Sequence, residues 1–260
     1  LISSIFDPIF SQKTKGPIGA VIDIFAIIVT LFGTAVSLGI GALQIARGVE
    51  IVGGIGPVGN SIIIAIIAVL TCAFILSAVS GVKRGIRVLS NINMLMVAVL
   101  AAFVFIAGPT LFLLNFIPSS GVAFFNDLTT MMQRSPVDGP DTAEFMKTWT
   151  TYYWAWWVSW TPFVGMFIAK ISRGRTIRQF TFVVMIVPSI VCLIWFGIFG
   201  GTAMRMEENG AGLSKADDSQ DILFSLLGNL PIPLITSVIA MVAVVIFFVT
   251  SADSASIVMG

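Results

Sequence analysis

Long apolar runs dominate this sequence and set the strongest limit on what it can fold into. A bilayer core about 30 Å thick is crossed by about 20 apolar helical residues. Six segments reach that length: 19–45, 61–82, 93–116, 149–169, 180–200 and 232–251. Because 57% of the 260 residues are hydrophobic and 10% are charged, the chain is far more apolar than a soluble domain. The sequence predicts an all-α integral membrane protein with six transmembrane helices.

Basic residues alternate between the two sides of these predicted spans. The N-terminal stretch and the second and fourth connections carry nine Lys or Arg residues and one acid, Asp7. The other three connections carry five basic and ten acidic residues. Since cytoplasmic loops are enriched in Lys and Arg, the alternation predicts a cytoplasmic N-terminus.

The composition leaves little room for soluble or enzymatic functions. The net charge of +1 and the lack of histidine argue against a basic nucleic-acid surface and against imidazole chemistry. Cys72 and Cys192 lie inside apolar runs, where a thiol behaves as a small hydrophobe. Asp23 and Asp253 are candidates because carboxylates within spans are expensive. A membrane enzyme built on them would still lack a nucleophile-and-base pair, so no enzyme, catalytic residue or cofactor is predicted.

Two segments outside the spans are amphipathic. The first is predicted to form a helix over 120–134 that lies along the membrane interface or on another subunit. Its apolar residues recur at helical spacing: Phe124, Phe125, Leu128, Met131 and Met132. A similar pattern precedes Pro231. Packing against the chain's own loops is the alternative for both.

Five of the six tryptophans lie in the segment TWTTYYWAWWVSWTPF. Spacing i, i+3, i+4 and i+7 places four of its aromatic residues on one helix face: Tyr153, Trp156, Trp157 and Trp160. An interfacial aromatic belt is the alternative, but the cluster extends about 16 Å along the helix. Pro162 is expected to break the helix, as at the sites of many secondary transporters. Indole faces without a buried acid favour a quaternary ammonium ligand.

Hydroxyl groups gather at two places in the spans. Thr30 and Thr34 are four residues apart and share a face, and Thr250 and Ser251 precede Asp253. Sodium prefers several oxygen ligands, which hydroxyls and freed carbonyls supply. The alternatives are hydroxyls bonded back to their own helix, helix caps and close helix contacts.

Three segments resemble the betaine/choline/carnitine transporter family. YYWAWWVSWTPFVGMFIAKISRGRTIRQF resembles its tryptophan-rich helix and the basic loop after it, and FGTAVSLGIGALQI and FFVTSADSAS resemble two further segments. The resemblance implies part of an inverted-repeat, leucine-transporter-type fold. Residues 19–116 would be the last three helices of the first repeat, and 149–260 the first three of the second. The family's glycine-rich broken helix is not in this sequence, so 1–260 is expected to be a partial transporter domain.

The resemblance also implies a function. A member of this family would import glycine betaine or a similar compatible solute by sodium symport across a bacterial-type plasma (inner) membrane. The alternative is a sodium-independent exchanger of carnitine- or betaine-type trimethylammonium compounds. The choice among glycine betaine, choline and carnitine stays open. The expected assembly is a homotrimer that contacts its neighbours through 120–134, without nucleic acid.

Site residues follow from the same resemblance. The aromatic substrate site would contain Trp156, Trp157 and Trp160, with Tyr153 beside them and Trp154 on the permeation path. One sodium ion would bind Thr30, Thr34 and Phe163. A second would bind Phe247, Thr250 and Ser251. Sodium is expected as the coupling ion, with no other metal.

Overall fold

The regular structure of the chain is helical wherever it is described. The computed structural model describes residues 2–10, 16–56, 58–80, 83–216 and 219–259, and their side chains except at 10, 77–80, 83–87, 170–171 and 253–259. The helices in chain order are α1 (Asp7–Phe10), α2 (Pro17–Gly53), α3 (Asn60–Ser80), α4 (Lys83–Ala107), α5 (Thr110–Gln133), α6 (Pro140–Phe145), α7 (Tyr152–Ile171), α8 (Ile177–Glu208), α9 (Ser219–Gly228) and α10 (Pro233–Met259). A π-helical turn, Met146–Thr151, joins α6 to α7. The predicted all-α class is confirmed.

Within the described ranges, five helical stretches are long and apolar enough to cross a membrane. They are Pro17–Gly53, Val88–Ala107, Thr110–Gln133, Ile177–Glu208 and Pro233–Ala252. The predicted spans at 19–45, 180–200 and 232–251 fall on α2, α8 and α10. α2 has 37 residues and is therefore about 55 Å long, well beyond the thickness of a bilayer core.

The predicted spans at 61–82 and 149–169 are not among these five stretches. In α3 the described apolar part, Asn60–Leu76, is shorter than a full span. The predicted span at 149–169 begins inside the π turn and continues as α7. Its tryptophans, tyrosines and hydroxyl residues lower its mean hydropathy, because these side chains have polar atoms and favour the interface.

The span predicted over 93–116 falls on α4, but its predicted end is wrong, because α4 ends at Ala107, before Gly108 and Pro109. Pro109 has no N–H to donate and disfavours helical geometry in the residue before it. The Gly108 N–H closes α4 by donating to the Val104 carbonyl at 2.9 Å, and the Thr110 hydroxyl donates to the Phe105 carbonyl at 2.8 Å. The Leu113 N–H then donates to the Pro109 carbonyl at 3.0 Å and starts α5.

Two further expectations about helix boundaries are corrected. The segment 120–134 does not form a separate helix, since it continues α5 from Thr110 through Pro118 to Gln133. α7 is not broken at Pro162, because the helix runs on to Ile171. A proline removes one backbone hydrogen bond, and the bonds on both sides of it hold the helix together.

Local sequence signals explain where α8 begins and where α2 ends. α8 begins with a capping box in which Gln179 N–H donates to Thr176 Oγ1 at 3.2 Å and Gln179 Oε1 accepts from the Thr176 N–H at 3.4 Å. α2 ends where Gly54 adopts φ +61°. This left-handed conformation suits glycine, which lacks a Cβ.

The chain divides into two compact units. The first contains Leu1–Gly39, Met132–Arg175 and Ser254–Gly260, and the second contains Ile40–Met131 and Thr176–Asp253. α4, α8, α9 and α10 build the core of the second unit. Its buried members are Leu100, Val104, Ile198, Phe199, Phe224, Leu226, Leu227, Leu230 and Ala240.

An ion cluster in the second unit fastens α9 to the end of α2. Arg47 donates from its Nε and Nη2 to both carboxylate oxygens of Asp221, with 2.8 Å between Nη2 and Oδ2, and from its Nη1 to Glu50. The other oxygen of Glu50 accepts the Val58 N–H at 2.6 Å. Arg47 and Glu50 together thus join α2 to α9 and to Val58, two residues before α3 begins.

Candidate functional site

The aromatic residues of the first unit form a ladder along the start of α7. Trp149, in the π turn, stacks on Tyr153 with ring centroids 5.8 Å apart and planes 6° apart. Tyr153 then contacts Trp156 at 5.8 Å with an interplanar angle of 50°. Tyr152 approaches Trp156 from another side, at 6.4 Å and 45°. The Trp156 indole therefore has aromatic neighbours at two oblique angles.

The predicted substrate residues fall into two groups. Trp154 and Trp157 are 69% and 67% exposed, and with Tyr153 they line an open depression of about 260 Å³. Trp156 and Trp160 are half-buried on the side of α7 that meets α2. The structure therefore brings Tyr153 and Trp156 together and leaves Trp154 and Trp157 facing outward.

α2 and α7 approach closely at Gly33. A Cβ at Gly33 would lie 2.8 Å from Trp160 Cδ1 and 3.1 Å from Ser159 Cβ. One turn further along α2, Ser37 Oγ accepts the indole N–H of Trp156 at 3.0 Å. Higher residue numbers on α2 meet lower ones on α7, so the two helices run antiparallel here. Glycine at position 33 permits this approach because it has no side chain.

The first predicted sodium set lies beside this contact. Thr30 and Thr34 flank Gly33 and are 4% and 8% exposed, and Phe163 is 7% exposed. The antiparallel register places Phe163 opposite Thr30. Phe163 also meets the Trp160 ring edge to face, with centroids 5.4 Å apart and planes 86° apart. The structure therefore places all three residues around the α2–α7 contact.

The Thr34 hydroxyl already has one partner. Its Oγ1 donates to the Thr30 carbonyl at 2.8 Å, a bond that the four-residue spacing permits. A hydroxyl that gives its proton to the backbone keeps lone pairs on its oxygen. Such an oxygen is able to coordinate a cation, although a threonine with a purely structural role makes the same bond.

The indole nitrogen of Trp160 is a polar atom without a local partner. It is buried, and among the described residues no group accepts a hydrogen bond from it. Buried polar groups are normally satisfied. The α2–α7 contact therefore contains one indole N–H that is bonded, from Trp156, and one that is not, from Trp160.

The second predicted sodium set belongs to the other unit, on α10. Phe247 is 63% exposed, and Thr250 and Ser251 are half-buried. The Thr250 hydroxyl donates to the Ile246 carbonyl at 2.9 Å. Phe248, next to Phe247, packs instead against Gly41 of α2. These three residues lie within one and a half turns of α10.

The carboxylates singled out from the sequence have different outcomes. Both oxygens of Asp23 accept hydrogen bonds from Ser3, from its N–H at 2.9 Å and its hydroxyl at 2.7 Å. Asp23 therefore fastens the turn Ile2–Phe6 to α2. The Asp253 side chain lies outside the described residues. In the described part of the chain, no group of three or more His, Cys, Asp or Glu residues is placed to hold a metal ion.

Sequence reasoning missed Ser37, Gly33 and Tyr152. Ser37 lies three residues after Thr34, so the face that carries the two threonines continues to it. This spacing was a usable signal for Ser37. The contact of Gly33 with α7 has no local signature, because it depends on which helix packs opposite.

Comparisons with known proteins give consistent results. A family model described as BCCT, betaine/carnitine/choline family transporter, matches residues 1–260. The chain is 52% identical over 261 residues to the betaine/ectoine transporter LcoP of Corynebacterium glutamicum and 41% identical over 260 residues to the glycine betaine transporter OpuD of Bacillus subtilis, in both cases over 100% of the chain. It is 40% identical over 260 residues to a glycine betaine/proline/choline transporter of Vibrio parahaemolyticus, over 98% of the chain. The matches cover 41%, 51% and 46% of these proteins, so the chain spans about half the length of the curated relatives it matches.

Proposed function

The chain belongs to the betaine/carnitine/choline family of transporters, and from that premise we propose that it is the core of a secondary active transporter that imports glycine betaine by sodium symport. The family is one of transporters rather than enzymes, and the chain is a multi-pass membrane protein of a bacterial transporter family. The cargo, the coupling ion and the assembly are our proposals.

The aromatic ladder of α7 is the observation that carries the substrate proposal. A quaternary ammonium cannot donate a hydrogen bond, so it is held through the faces of aromatic rings. Tyr153, Trp154 and Trp157 line an open depression, and Trp156 lies against Tyr153. The names of two relatives include glycine betaine, which is a ligand of this chemistry.

Sodium coupling is supported by the buried threonine pair. Thr30 and Thr34 offer two buried hydroxyl oxygens on α2, and Phe163 is a buried aromatic residue on the facing helix α7; a ring face attracts a cation. Thr250 and Ser251 offer two more on α10. The competing proposal is a sodium-independent exchanger, and it is favoured by one observation. The hydroxyls of both Thr34 and Thr250 donate to backbone carbonyls of their own helices, as structural hydroxyls do.

The test is uptake of labelled glycine betaine by the full-length protein in proteoliposomes, with and without an inward sodium gradient. We expect uptake to require sodium. Trp157→Ala should reduce the affinity about 30-fold, the equivalent of about 2 kcal/mol of cation–π attraction. Phe196→Ala is the matched control because it removes an aromatic side chain of α8 that is 71% exposed. Equal uptake without sodium would support the exchanger, and lack of betaine uptake by the wild type would refute the substrate.

We propose that six helices cross the inner membrane, namely α2, α3, α4, α7, α8 and α10. If α5 also crossed, the acidic connection at 134–147 would lie inside and the basic connection at 170–178 outside. That order would reverse the usual distribution of basic residues. α5 therefore stays at the outer surface. Thiol labelling from outside should reach Ser135→Cys and spare Arg173→Cys; the opposite result would show that α5 crosses.

The outward face of α5 supports a homotrimer. Phe125 and Met132 are 72% and 78% exposed, and Phe124 meets Phe125 edge to face at 5.5 Å. Contiguous exposed apolar residues on an amphipathic helix are typical of a contact surface. Replacing Phe125 and Met132 by Ser should shift the detergent-solubilised protein from trimer to monomer in light scattering. A protein that is monomeric before substitution would refute the assembly.

A further inference from the structure

A chain of hydrogen bonds joins the aromatic ladder to α2. The indole N–H of Trp156 donates to Ser37 Oγ at 3.0 Å, and the Ser37 hydroxyl donates to the Gly33 carbonyl at 3.3 Å. Since the serine proton is directed toward its own helix, a lone pair of its oxygen is left for the indole. Each bond in such a chain polarises the next, so Ser37 acts here as an oriented acceptor.

This bond fixes the orientation of an aromatic ring. The edge of an indole ring is electropositive and its face is electronegative. Because α2 holds the N–H edge of the Trp156 indole, the two faces of the ring are directed to either side of that hydrogen bond. Tyr152 and Tyr153 limit rotation further, since their planes lie 45° and 50° from that of Trp156. Attraction to an ammonium requires the face, so an unrestrained Trp156 would lose part of its contribution.

Ser37 also shares a helix face with the proposed sodium ligands. Thr30, Thr34 and Ser37 are spaced i, i+4 and i+7, which aligns them along α2. The serine that holds the aromatic ring therefore continues the row of hydroxyls assigned to sodium. A displacement of this face of α2 on ion binding would move the acceptor of the Trp156 indole.

We propose that Ser37 is a positioning residue of the substrate site, whose hydroxyl oxygen holds the Trp156 indole in the orientation that receives the quaternary ammonium group. This role rests on the proposed function. Ser37 does not itself touch the substrate. It acts by orienting Trp156, so the chemistry it requires at position 37 is a hydrogen-bond acceptor.

The experiment compares four variants of the full-length protein: Ser37→Ala, Ser37→Thr, Trp156→Phe and the double variant Ser37→Ala/Trp156→Phe. Ser37→Ala should weaken glycine betaine binding about three- to tenfold, the range of one lost hydrogen bond, and raise the KM for uptake more than it lowers the maximal rate. Ser37→Thr, which keeps an acceptor oxygen, should restore the affinity. The double variant should bind glycine betaine no more weakly than Trp156→Phe does, because Trp156→Phe already lacks the hydrogen bond to Ser37.

Ser189→Ala is the matched control. The Ser189 hydroxyl donates to the Met185 carbonyl of its own helix at 2.6 Å and is exposed, so its removal should leave betaine affinity unchanged. A general loss of stability would appear in Ser37→Ala and Ser37→Thr alike, whereas loss of an acceptor appears only in the first.

A second readout separates this inference from the proposed function. In protein labelled with 5-fluorotryptophan, the ¹⁹F signal missing in Trp156→Phe identifies Trp156, and Ser37→Ala should shift that signal without substrate. An unshifted signal would overturn the positioning role even if betaine is transported normally. A shifted signal with unchanged betaine affinity would overturn it as well. A wild-type protein that binds no betaine would instead refute the proposed function, and with it the role of Ser37.

Discussion

Gly33→Ala tests the geometry of the α2–α7 contact with a single methyl group. The added Cβ would lie 2.8 Å from Trp160 Cδ1, while carbon atoms in contact stay at least about 3.5 Å apart. The Ser159 hydroxyl lies still closer to the added Cβ and must also give way, and α7 or the Trp160 ring must move by at least about 0.7 Å. If α7 moves, the bond between Trp156 and Ser37 lengthens from 3.0 Å to about 3.7 Å, beyond hydrogen-bond distance.

The expected result is a less stable protein with weaker substrate binding. Overpacking of this kind costs about 1–3 kcal/mol, and we expect betaine affinity to fall about tenfold as the indole is released. Both quantities are measured on the full-length protein, by thermal unfolding in detergent and by betaine binding. Gly39→Ala on the same helix is the control, since nothing in the described structure lies within 4 Å of a Cβ there. Alanine in a helix interior is more stable than glycine by about 0.5–1 kcal/mol. Wild-type affinity and stability in Gly33→Ala would refute the close approach.

Three other substitutions test contacts away from the aromatic ladder. Arg47→Met should lower the free energy of unfolding by about 1–3 kcal/mol, less than for a fully buried pair because Arg47 is 30% exposed. The triple variant with Glu50→Gln and Asp221→Asn should recover most of the lost stability. An unchanged melting temperature in Arg47→Met would show that the ion cluster does not fasten α9 to α2. Leu227→Ala removes a fully buried side chain and should cost about 2–5 kcal/mol in the same thermal assay, whereas a loss below about 1 kcal/mol would mean that this core is absent. Asp23→Asn should accelerate hydrogen exchange in the turn Ile2–Phe6, and unaltered exchange rates would show that this carboxylate does not hold the turn.

The sequence predicts the helices well where apolar length alone decides the structure. α2, α8 and α10 each contain an uninterrupted run that matches the bilayer thickness. The break at Gly108 was missed because it interrupts a run that stays apolar on both sides, so no change in polarity marks it. The opposite holds at Pro162, where the residue type predicts a break but α7 continues to Ile171. A proline removes only one backbone hydrogen bond, and the backbone hydrogen bonds before and after it maintain the helix.

The candidate site was predictable in residue types but not in pairing. Spacing alone places Thr30 and Thr34 on one face, and the bond from Thr34 to the Thr30 carbonyl agrees with it. Spacing also grouped Trp156 with Trp157, yet Trp156 faces α2 while Trp157 is 67% exposed. A periodic pattern defines a helix face to within about a quarter of a turn. Which part of that face meets a neighbour depends on the register of two helices distant in sequence.

The π turn at Met146–Thr151 determines how α7 relates to the helix before it. A π turn accommodates an additional residue compared with an α turn, and each α-helical residue rotates the chain by about 100°. Because the π turn accommodates its additional residue within the turn, deletion of Lys147 or Thr148 would turn the segment into a regular α-helix and leave the tryptophans of α7 facing nearly the same direction relative to α6. Deletion of Tyr152 in α7, where no π turn absorbs the change, would instead rotate the tryptophans after it by about 100°. The aromatic array would then keep its composition but face a different direction, so α7 depends on the number of its residues as well as on their identity.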